Sequence, residues 1–564
     1  MDSRAQSKHC WFPRCLVATL FLLALASCSR APSPPQDALK AFSSESLLKH
    51  IRTLASDEFE GRSPGSNGEE RTIQYLQAQF RATGLEPGNP DGSYLQKVPL
   101  VGITADPEMI LTFSGGGRTL EAKFGRDFVA GTKRVEESVA IDAELVFAGY
   151  GVQAPEYEWD DFKGAEVKGK VPVVLVNDPP VEDEKVFGGK AMTYYGRWTY
   201  KFEKAAELGA AGCLIIHETG PAGYPWGVVQ NSWSGEQFDL VTPDKNAGRI
   251  AVEGWISSEQ AQALFRLAGK DLAALKKAAV SREFRPVPLG LRARLRIKNT
   301  LRHVDSHNVV ARLTGSDTKL KNEYVIYTAH WDHLGMKPEA TGDKIYNGAR
   351  DNASGSAALL EIARAYKQLR VAPRRTLLFL AVTAEEQGLL GSRYYAEQPL
   401  YPLTQTAAVI NMDGMNVLGR TRDLVSIGVG SSTLDEIVEG VAREQGRTVK
   451  PDAEPEKGFF YRSDQFEFAR KGVPALFADE GVNYISKPER WGLRMRDKYT
   501  KEDYHKPSDE VKDDWDLSGA VEDCQLNLLV GYRVANELKM PEWKRGAEFK
   551  AAREASLRQA GKSK

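Results

Sequence analysis

Cysteine and net charge are both scarce in this sequence. Its 564 residues include 5 cysteines, and 75 basic side chains against 76 acidic ones leave a formal net charge of -1. Cys213 and Cys524 lie far apart, and the other cysteines fall near the N-terminus, so no disulfide framework is predicted. A balanced charge gives no electrostatic reason to expect nucleic acid as a partner.

Long hydrophobic runs are also missing. The apolar stretch from Leu16 to Ala26 is shorter than the roughly 20 residues that a membrane-spanning helix needs. Because it follows three basic residues, it predicts a secretory signal peptide. Its end, Leu25-Ala26-Ser27-Cys28, resembles the lipobox of bacterial lipoproteins. The resemblance implies export, a lipid anchor at Cys28 and a place in the cell envelope, with the outer membrane favoured. A secretory signal with a chance cysteine is the alternative.

The pattern of apolar and turn-forming residues changes along the chain. A chain of this length predicts two or more domains. No internal repeat is present. We predict a signal peptide at 1–27, a proline-containing linker at 28–43 and a charged tail at 546–564. Residues 44–135 and 295–545 are predicted to form one catalytic domain, which is interrupted by a β-rich insertion at 136–294.

Strands and helices alternate from Asn308 onward. Apolar strands are predicted at 325–329, 376–383, 407–411 and 473–478, with an amphipathic helix at 357–369. Strands that alternate with helices of this length favour an α/β fold with a mostly parallel central sheet, flanked by helices.

Histidine and acidic residues follow three of these strands. His330-Trp331-Asp332 follows the first, Glu385-Glu386 the second and Asp413 the third, while Asp351 and His505 lie in loops. Each residue alone has an ordinary explanation, such as a helix cap, a solvated turn or a buried histidine. Because the carboxyl ends of parallel strands lie at one edge of a sheet, we expect these side chains to converge on a metal site.

Two histidines and three carboxylates are a ligand set that suits zinc. Five ligands exceed what one tetrahedral catalytic zinc needs, so we predict two zinc ions about 3.5–4 Å apart, sharing a carboxylate and a hydroxide. Asp332 is placed to accept the proton on the second ring nitrogen of His330. Of Glu385 and Glu386, one is expected to ligate and the other to act as general base.

These residues lie in motifs that resemble those of the co-catalytic di-zinc aminopeptidases, a metallopeptidase family that also includes glutamate carboxypeptidase and the glutaminyl cyclases. The matching motifs are His330-Trp331-Asp332, Gly348-Ala349-Arg350-Asp351-Asn352-Ala353-Ser354-Gly355, Ala384-Glu385-Glu386-Gln387-Gly388-Leu389-Leu390-Gly391-Ser392, Asn411-Met412-Asp413 and Tyr504-His505. The resemblance implies that Asp351 bridges the metals. It places His330 and Asp413 at one zinc, and Glu386 and His505 at the other.

The same resemblance assigns roles to two further residues. Glu385 is implied to take a proton from the zinc-bound water and deliver it to the leaving amine, and Tyr504 to hydrogen-bond the tetrahedral intermediate. The segment Leu54–Arg62 looks like the N-terminal segment of the family. The middle of the chain resembles a protease-associated domain, on the basis of Gly149-Tyr150-Gly151 and later glycine-containing turns.

Two positions depart from the family pattern. Arg350 stands where many relatives carry a second aspartate, and Gln465 stands where relatives often have histidine or tyrosine. Neither removes a ligand, so specificity rather than catalysis is affected. We expect a zinc aminopeptidase that acts on peptide substrates. The alternatives are a carboxypeptidase or dipeptidase with Arg350 facing the substrate carboxylate, a glutaminyl cyclase with one zinc, and a non-catalytic binding protein.

Overall fold

The computed structural model describes residues 35–181, 183, 185–189, 191–337 and 341–562. The predicted signal peptide, Cys28 and the first part of the linker lie outside the described residues. Within the described part, no helix has the length and apolar character required to cross a bilayer.

The helices of the described part are labelled α1 to α15 in chain order. They span Gln36–Leu39, Ser44–Leu54, Asn67–Thr83, Trp198–Glu207, Thr219–Ala222, Trp226–Ser232, Ser258–Leu267, Leu272–Ala278, Ser354–Tyr366, Leu390–Glu397, Leu434–Glu444, Gln465–Arg470, Trp491–Glu502, Ser518–Asn536 and Lys550–Lys562.

The strands of the described part are labelled β1 to β21 in the same way. They span Glu86–Pro87, Leu95–Ala105, Ile110–Gly115, Arg118–Lys123, Phe128–Gly131, Ser138–Phe147, Gln153–Ala154, Trp159–Asp160, Val171–Leu175, Gly212–Ile216, Glu236–Leu240, Val252–Ile256, Val287–Leu313, Tyr324–His330, Gly335–Met336, Ile345–Tyr346, Thr376–Val382, Thr406–Asn411, Asp423–Ile427, Thr448–Lys450 and Ala475–Asp479.

The central sheet is parallel in its middle. Strand β14 lies between β17 and β18 and is parallel to both, and β18 is also parallel to β21. Antiparallel neighbours follow on either side, β13 beside β17 and β19 beside β21. Every residue of β14, β17 and β18 is buried, as expected for strands covered on both faces. The predicted α/β class, with a central sheet flanked by helices, is confirmed.

Helices cover both faces of this sheet. Apolar residues of α2, α3, α9 and α14 pack in one large core, for example Ile51, Phe80 and Leu528. On the opposite face, Tyr395 of α10 and Phe468 of α12 belong to a separate apolar cluster. The two long helices near the N-terminus are therefore part of the same layered unit as the later strands.

A second sheet is built by residues 110–298, which we call the second-sheet module. Its strands β6, β9, β10 and β12 are parallel neighbours, and its core includes Phe113, Phe147 and Phe265. The strands β3, β4 and β5, which precede residue 136, also belong to this sheet. The 27-residue strand β13 begins in the second sheet and ends in the central one, so the two sheets are joined along a continuous backbone.

Candidate metal centre and active site

Three of the predicted ligands lie at one edge of the central sheet. His330 is the last residue of β14, Glu386 lies in the turn after β17, and Asp413 follows β18 by two residues. Because β17, β14 and β18 are parallel neighbours, these ends are adjacent. The Nε2 atom of His330 lies 3.1 Å from Oδ1 of Asp413.

Asp351 lies at the centre of the cluster. It occupies the irregular turn Ala349–Ala353 that precedes α9. Its Oδ1 is 3.3 Å from Nε2 of His330, and its Oδ2 is 3.4 Å from Nε2 of His505. The same His505 nitrogen lies 2.9 Å from Oε2 of Glu386. The structure therefore brings together all five predicted ligands in two groups, and one oxygen of Asp351 faces each group.

The geometry and chemistry of these residues fit a divalent metal. Tetrahedral zinc with bonds of about 2.0–2.2 Å places its ligand atoms roughly 3.3 Å apart. The nitrogen–oxygen distances in the cluster range from 2.9 to 3.4 Å. Nε2 of His505 is buried and, although Oε2 of Glu386 lies 2.9 Å away, it forms no hydrogen bond of regular geometry among the described atoms, as expected for a nitrogen that binds a metal. Ligand atoms of His330, Asp351 and Glu386 lie within 4.8 Å of one another.

The electrostatics of the cluster favour a cation. Burial by itself lowers the pKa of His505, but the carboxylates of Glu386 and Asp351 outweigh burial and raise this pKa to about 10. Burial and Asp351 raise the pKa of Glu386, whereas His505 and His333 lower it to about 2. The negative field that holds a proton on an imidazole also attracts a metal ion.

Glu385 lies next to the ligand cluster, but its carboxylate does not contact the other members. Its backbone N–H donates to Oδ1 of Asp332 at 3.1 Å, and among the described residues its carboxylate forms no hydrogen bond or ion pair. Burial and the nearby carboxylates of Asp413 and Glu386 raise the pKa of Glu385. A carboxylate that is held beside the ligands and has no partner is available to exchange protons.

The other two predicted catalytic residues both contact ligand histidines. Nδ1 of His330 lies 3.1 Å from the backbone oxygen of Asp332 and 3.8 Å from its carboxylate Oδ1. The nearer acceptor is therefore the backbone oxygen, while the Asp332 carboxylate positions the backbone of Glu385. The ring of Tyr504 stacks on His505 with 3.9 Å between ring centroids.

Several residues around the ligands were not predicted from the sequence. Nδ1 of His333 lies 2.5 Å from Oε1 of Glu386, and the hydroxyl of Ser463 donates to Oδ2 of Asp413 at 2.5 Å. The carboxylate of Asp509 accepts the backbone N–H of Asp351 at 3.1 Å. His333 had a usable signal, because it follows His330 by three residues. Nothing in the local sequence marks the other two.

The second-sheet module also contributes a contact. The hydroxyl of Ser232, the last residue of α6, lies 3.1 Å from Nδ1 of His505. This nitrogen is on the side of the imidazole that faces away from the metal cluster. A hydrogen bond at this position fixes the ring orientation and tautomer of a ligand histidine.

Arg350 and Gln465, the two departures from the family pattern, do not contact the ligand atoms. The guanidinium of Arg350 donates to Glu480 at 2.6 Å and lies 4.3 Å from the ring centroid of Tyr499. Arg350 is therefore already paired. Gln465 accepts a hydrogen bond from Asn411 at 2.8 Å and donates to the backbone oxygen of Phe460 at 2.8 Å.

Two cavities meet at Glu385. One, of about 130 Å³, extends toward the second-sheet module and is bordered by Glu386 and His505. The other, of about 170 Å³, extends past Asp351 and Asp413 toward Arg350 and Glu480. Glu385 and Tyr504 border both, so a chain that occupies both cavities passes in front of these two residues.

The fold and the site define an α/β protein with a histidine–carboxylate metal centre at the carboxyl edge of its sheet. Residues 308–529 match the profile of Peptidase family M28. Within this segment the chain is similar to that family, in agreement with the predicted resemblance to metallopeptidases. The protease-associated domain and the lipoprotein signal stay predictions.

Comparisons with known proteins agree with this family. A probable zinc metalloprotease of Pyrenophora teres f. teres (strain 0-1) is 37% identical over 111 residues, covering 20% of this chain and 23% of that protein. Leucine aminopeptidase 2 of Trichophyton equinum is 27% identical over 217 residues, covering 36% of this chain and 40% of that protein. The matched segments span about a quarter of the length of the first of these curated relatives.

A solved structure extends the similarity to nearly the whole fold. The aminopeptidase from Aneurinibacillus sp. strain AM-1 is 19% identical to this chain, with a TM-score of 0.54. The alignment covers 90% of this chain and 97% of that one. At this identity the likeness shows a shared fold.

Proposed function

We propose that this protein is a zinc-dependent aminopeptidase that removes N-terminal residues from peptides. The position of Asp351 carries the proposal, because one of its oxygens faces His330 and the other faces His505. Asp351 would bridge two zinc ions, with His330 and Asp413 completing one site and Glu386 and His505 the other. The match of residues 308–529 to Peptidase family M28 supports the same assignment.

The residues around the centre supply proton transfer and orientation. When bound, two zinc ions would polarise the scissile carbonyl and lower the pKa of a water molecule. The free carboxylate of Glu385 accepts a proton from the attacking water and donates it to the leaving amine. Tyr504 borders both cavities, where its hydroxyl is available to the developing oxyanion. Ser232 and the backbone oxygen of Asp332 keep the ligand histidines oriented.

Blocked substrates and metal removal test the reaction. The purified protein should release leucine from leucine amide and from a peptide with a free N-terminus. The same peptide with an acetylated N-terminus should be inert. In aminopeptidase action the residue before the cleaved bond carries the free N-terminus, and acetylation blocks it. A chelator should abolish the activity and added zinc should restore it. Cleavage of the acetylated peptide from its other end would instead show a carboxypeptidase, and release of ammonia from a glutaminyl peptide would show a cyclase.

Elemental analysis tests the metal count. We expect two zinc ions per chain in the wild-type protein and a lower count in His505→Ala, which removes a ligand of one site. One zinc per chain in the wild-type protein would contradict the two-metal proposal.

We further propose that the protein is exported and anchored to the cell envelope through lipidated Cys28. The apolar stretch and the lipobox-like sequence before Cys28 support this location. Labelled fatty acid should be incorporated into the expressed wild-type protein and not into Cys28→Ser. Retention of residues 1–27 in the membrane-associated protein would contradict the proposal.

A further inference from the structure

Three segments meet at the edge of the central sheet that lies opposite the metal centre. They are residues 316–321 before β14, 370–375 before β17 and 536–539 after α14. The backbone N–H of Arg375 donates to the oxygen of Ala535 at 2.9 Å, and the guanidinium of Arg374 pairs with Asp317 at 2.6 Å. Because β14 and β17 run from this edge toward the turns that carry the ligands, the edge is the far end of the sheet. We call the three segments the basal face.

The basal face carries the two most exposed large apolar side chains of the described part. Val371 is 70% exposed and Leu538 is 71% exposed. The guanidinium of Arg375 donates to the backbone oxygen of Leu538 at 3.3 Å, so Leu538 lies beside the segment that carries Val371. A single exposed apolar residue is common on protein surfaces, but two on adjoining segments favour contact with an apolar phase.

The basal face is also positively charged. Its exposed cations that form no ion pair within the described part are Lys319, Lys321, Arg370 and Lys539. Of the acidic side chains in the three segments, Asp317 is paired with Arg374 and Glu537 is exposed. The segments therefore have an excess of positive charge, whereas the whole chain has a formal net charge of -1. Positive charge concentrated on one face attracts an anionic surface.

The proposed lipid anchor would be attached near this face. Pro35, the first described residue, follows Cys28 by seven residues, which span at most about 25 Å when fully extended. The helix α1 that begins after Pro35 leads to Ala41, whose backbone oxygen accepts a hydrogen bond from Arg364 of α9. Arg364 precedes Arg370 of the basal face by six residues, about 10 Å along a helix. The tether is therefore long enough for the basal face to reach the bilayer that would hold Cys28.

The metal centre lies at the opposite end of the same helix. Helix α9 begins at Ser354, directly after the turn that carries Asp351, and ends at Tyr366. Its 13 residues are about 20 Å long. Contact between the basal face and a membrane therefore leaves the catalytic cavities open to peptides in solution.

We propose that the basal face rests on the surface of an anionic phospholipid bilayer. Its four exposed cations face the headgroups, while Val371 and Leu538 enter the boundary between headgroups and acyl chains. The inference rests on the proposed anchor at Cys28 and identifies the side of the protein that meets the membrane. A second copy of the chain is a poorer partner, because a symmetric contact of this face with itself brings like charges together.

The cysteine content of the chain allows one position to be labelled at a time. Cys213 and Cys524 are buried, and buried thiols in apolar surroundings are inert. Cys10 and Cys15 are replaced by serine in every variant, and Cys28 is kept for acylation. A cysteine introduced at an exposed position is then the one that reacts with a maleimide dye.

A fluorescent label at the basal face tests the proposed contact. Lipidated Leu538→Cys carries an environment-sensitive maleimide dye and is reconstituted in vesicles of phosphatidylethanolamine and phosphatidylglycerol. We expect the dye emission to shift to the blue and to be quenched by brominated acyl chains. Ile110→Cys, which alters a 49% exposed apolar residue of β3, is the control and should keep an aqueous spectrum. An aqueous spectrum at residue 538, or the same shift at both residues, would overturn the proposal.

Neutralising the cations tests the electrostatic part of the proposal. The labelled protein is combined with three substitutions, Lys319→Gln, Lys321→Gln and Lys539→Gln. Because each basic side chain near an anionic surface contributes about fivefold to binding, the equilibrium between docked and undocked label should fall roughly 100-fold. The matched control neutralises three exposed lysines of the second-sheet module, Lys123, Lys270 and Lys277. Thermal melting checks that both variants are folded. An unchanged docking equilibrium, or the same loss in the control, would contradict the proposal.

Fatty-acid labelling separates failure of the anchor from failure of this inference. If Cys28 is not acylated, the anchor proposal fails, and the labelled full chain with Cys28→Ser is added to the same vesicles. A blue shift at residue 538 that requires the three basal lysines then supports the basal face, and an aqueous spectrum refutes it. Neither readout depends on peptide hydrolysis, so the substrate assays test the aminopeptidase proposal independently.

Discussion

The adjacent residues Glu385 and Glu386 have the same side chain but different environments. Glu386 contacts His333 and His505, whereas the carboxylate of Glu385 has no hydrogen bond or ion pair among the described residues. Their position after β17 was predictable from the apolar strand that precedes them. The division of roles depends on which carboxylate faces the histidines, and that is a property of the folded turn.

Replacing Glu385 by glutamine should therefore remove proton transfer and leave the metal site intact. We expect kcat to fall about 10²–10⁴-fold, the usual contribution of general base catalysis. Zinc content and thermal stability should match the wild-type protein. Glu397→Gln, which alters an exposed carboxylate on α10, is the matched control. Full activity of Glu385→Gln would exclude this carboxylate as the base.

Ser232 offers a test of the contact between the second-sheet module and the metal centre. Ser232→Ala removes the hydroxyl beside Nδ1 of His505 and should weaken zinc binding about 10- to 100-fold, as is usual for residues that orient a ligand. Competition with a chromogenic chelator measures the change. Ser234→Ala is the control, because Ser234 contacts the backbone of Gln230 instead. An unchanged zinc affinity in Ser232→Ala would show that the contact has no role in metal binding.

At the scale of elements, strands were easier to predict than the turns around them. The predicted strand 376–383 is observed as Thr376–Val382. The predicted helix 357–369 is observed three residues earlier, as Ser354–Tyr366. Its start was misplaced because the irregular turn with Asp351 runs directly into the helix, and no polar cap separates the two.

Helix α9 is also attached to the N-terminal helix α2 through Glu361. This side chain is 1% exposed and accepts a hydrogen bond from Ser46 at 2.6 Å, while His50 and Arg364 lie within ion-pair distance. Burial alone raises the pKa of Glu361, but hydrogen bonds from His50, Arg364 and Ser46 outweigh burial and lower it from 4.5 to about 2. A carboxyl with a lower pKa in the folded state stabilises the fold above pH 4.5, and this contribution is lost as the pH falls toward 2.

Glu361→Gln should therefore destabilise the protein in a pH-dependent way. From the lowered pKa we expect a loss in the free energy of unfolding on the order of 3 kcal/mol at pH 7. The difference from the wild-type protein should shrink to less than half near pH 3. Urea unfolding at both pH values measures it, with Glu45→Gln, an exposed residue of α2, as control. A difference that does not change with pH would refute the titration argument.

At the scale of the whole molecule, a buried arginine joins the N-terminal part of the chain to the metal centre. Arg62 is 1% exposed and donates to the backbone oxygens of Leu54, Asn347, Gly348 and Trp331 at distances between 2.6 and 2.9 Å. Trp331 follows the ligand His330, and Gly348 precedes Asp351 by three residues. The segment before β1 therefore holds the two loops that carry these ligands.

Arg62→Met should leave these carbonyls without donors. We expect the free energy of unfolding to fall by about 3–5 kcal/mol, which is typical of a broken buried network of charged hydrogen bonds. Zinc affinity should fall as well, because the ligand loops lose their support. Urea unfolding and zinc titration measure the two effects, and Arg52→Met on the exposed side of α2 is the control. Wild-type stability of Arg62→Met would contradict the structural role.

The sequence by itself determined the layered α/β fold and which histidine and acidic side chains meet at the edge of its sheet. Both depend on local patterns, since an apolar strand followed directly by histidine or carboxylate places that side chain at the carboxyl edge of the sheet. Only the tertiary structure decided which residues surround the cluster of predicted metal ligands. Ser232 contacts His505 across 273 residues. Such contacts depend on how distant segments pack, and no local pattern encodes that packing.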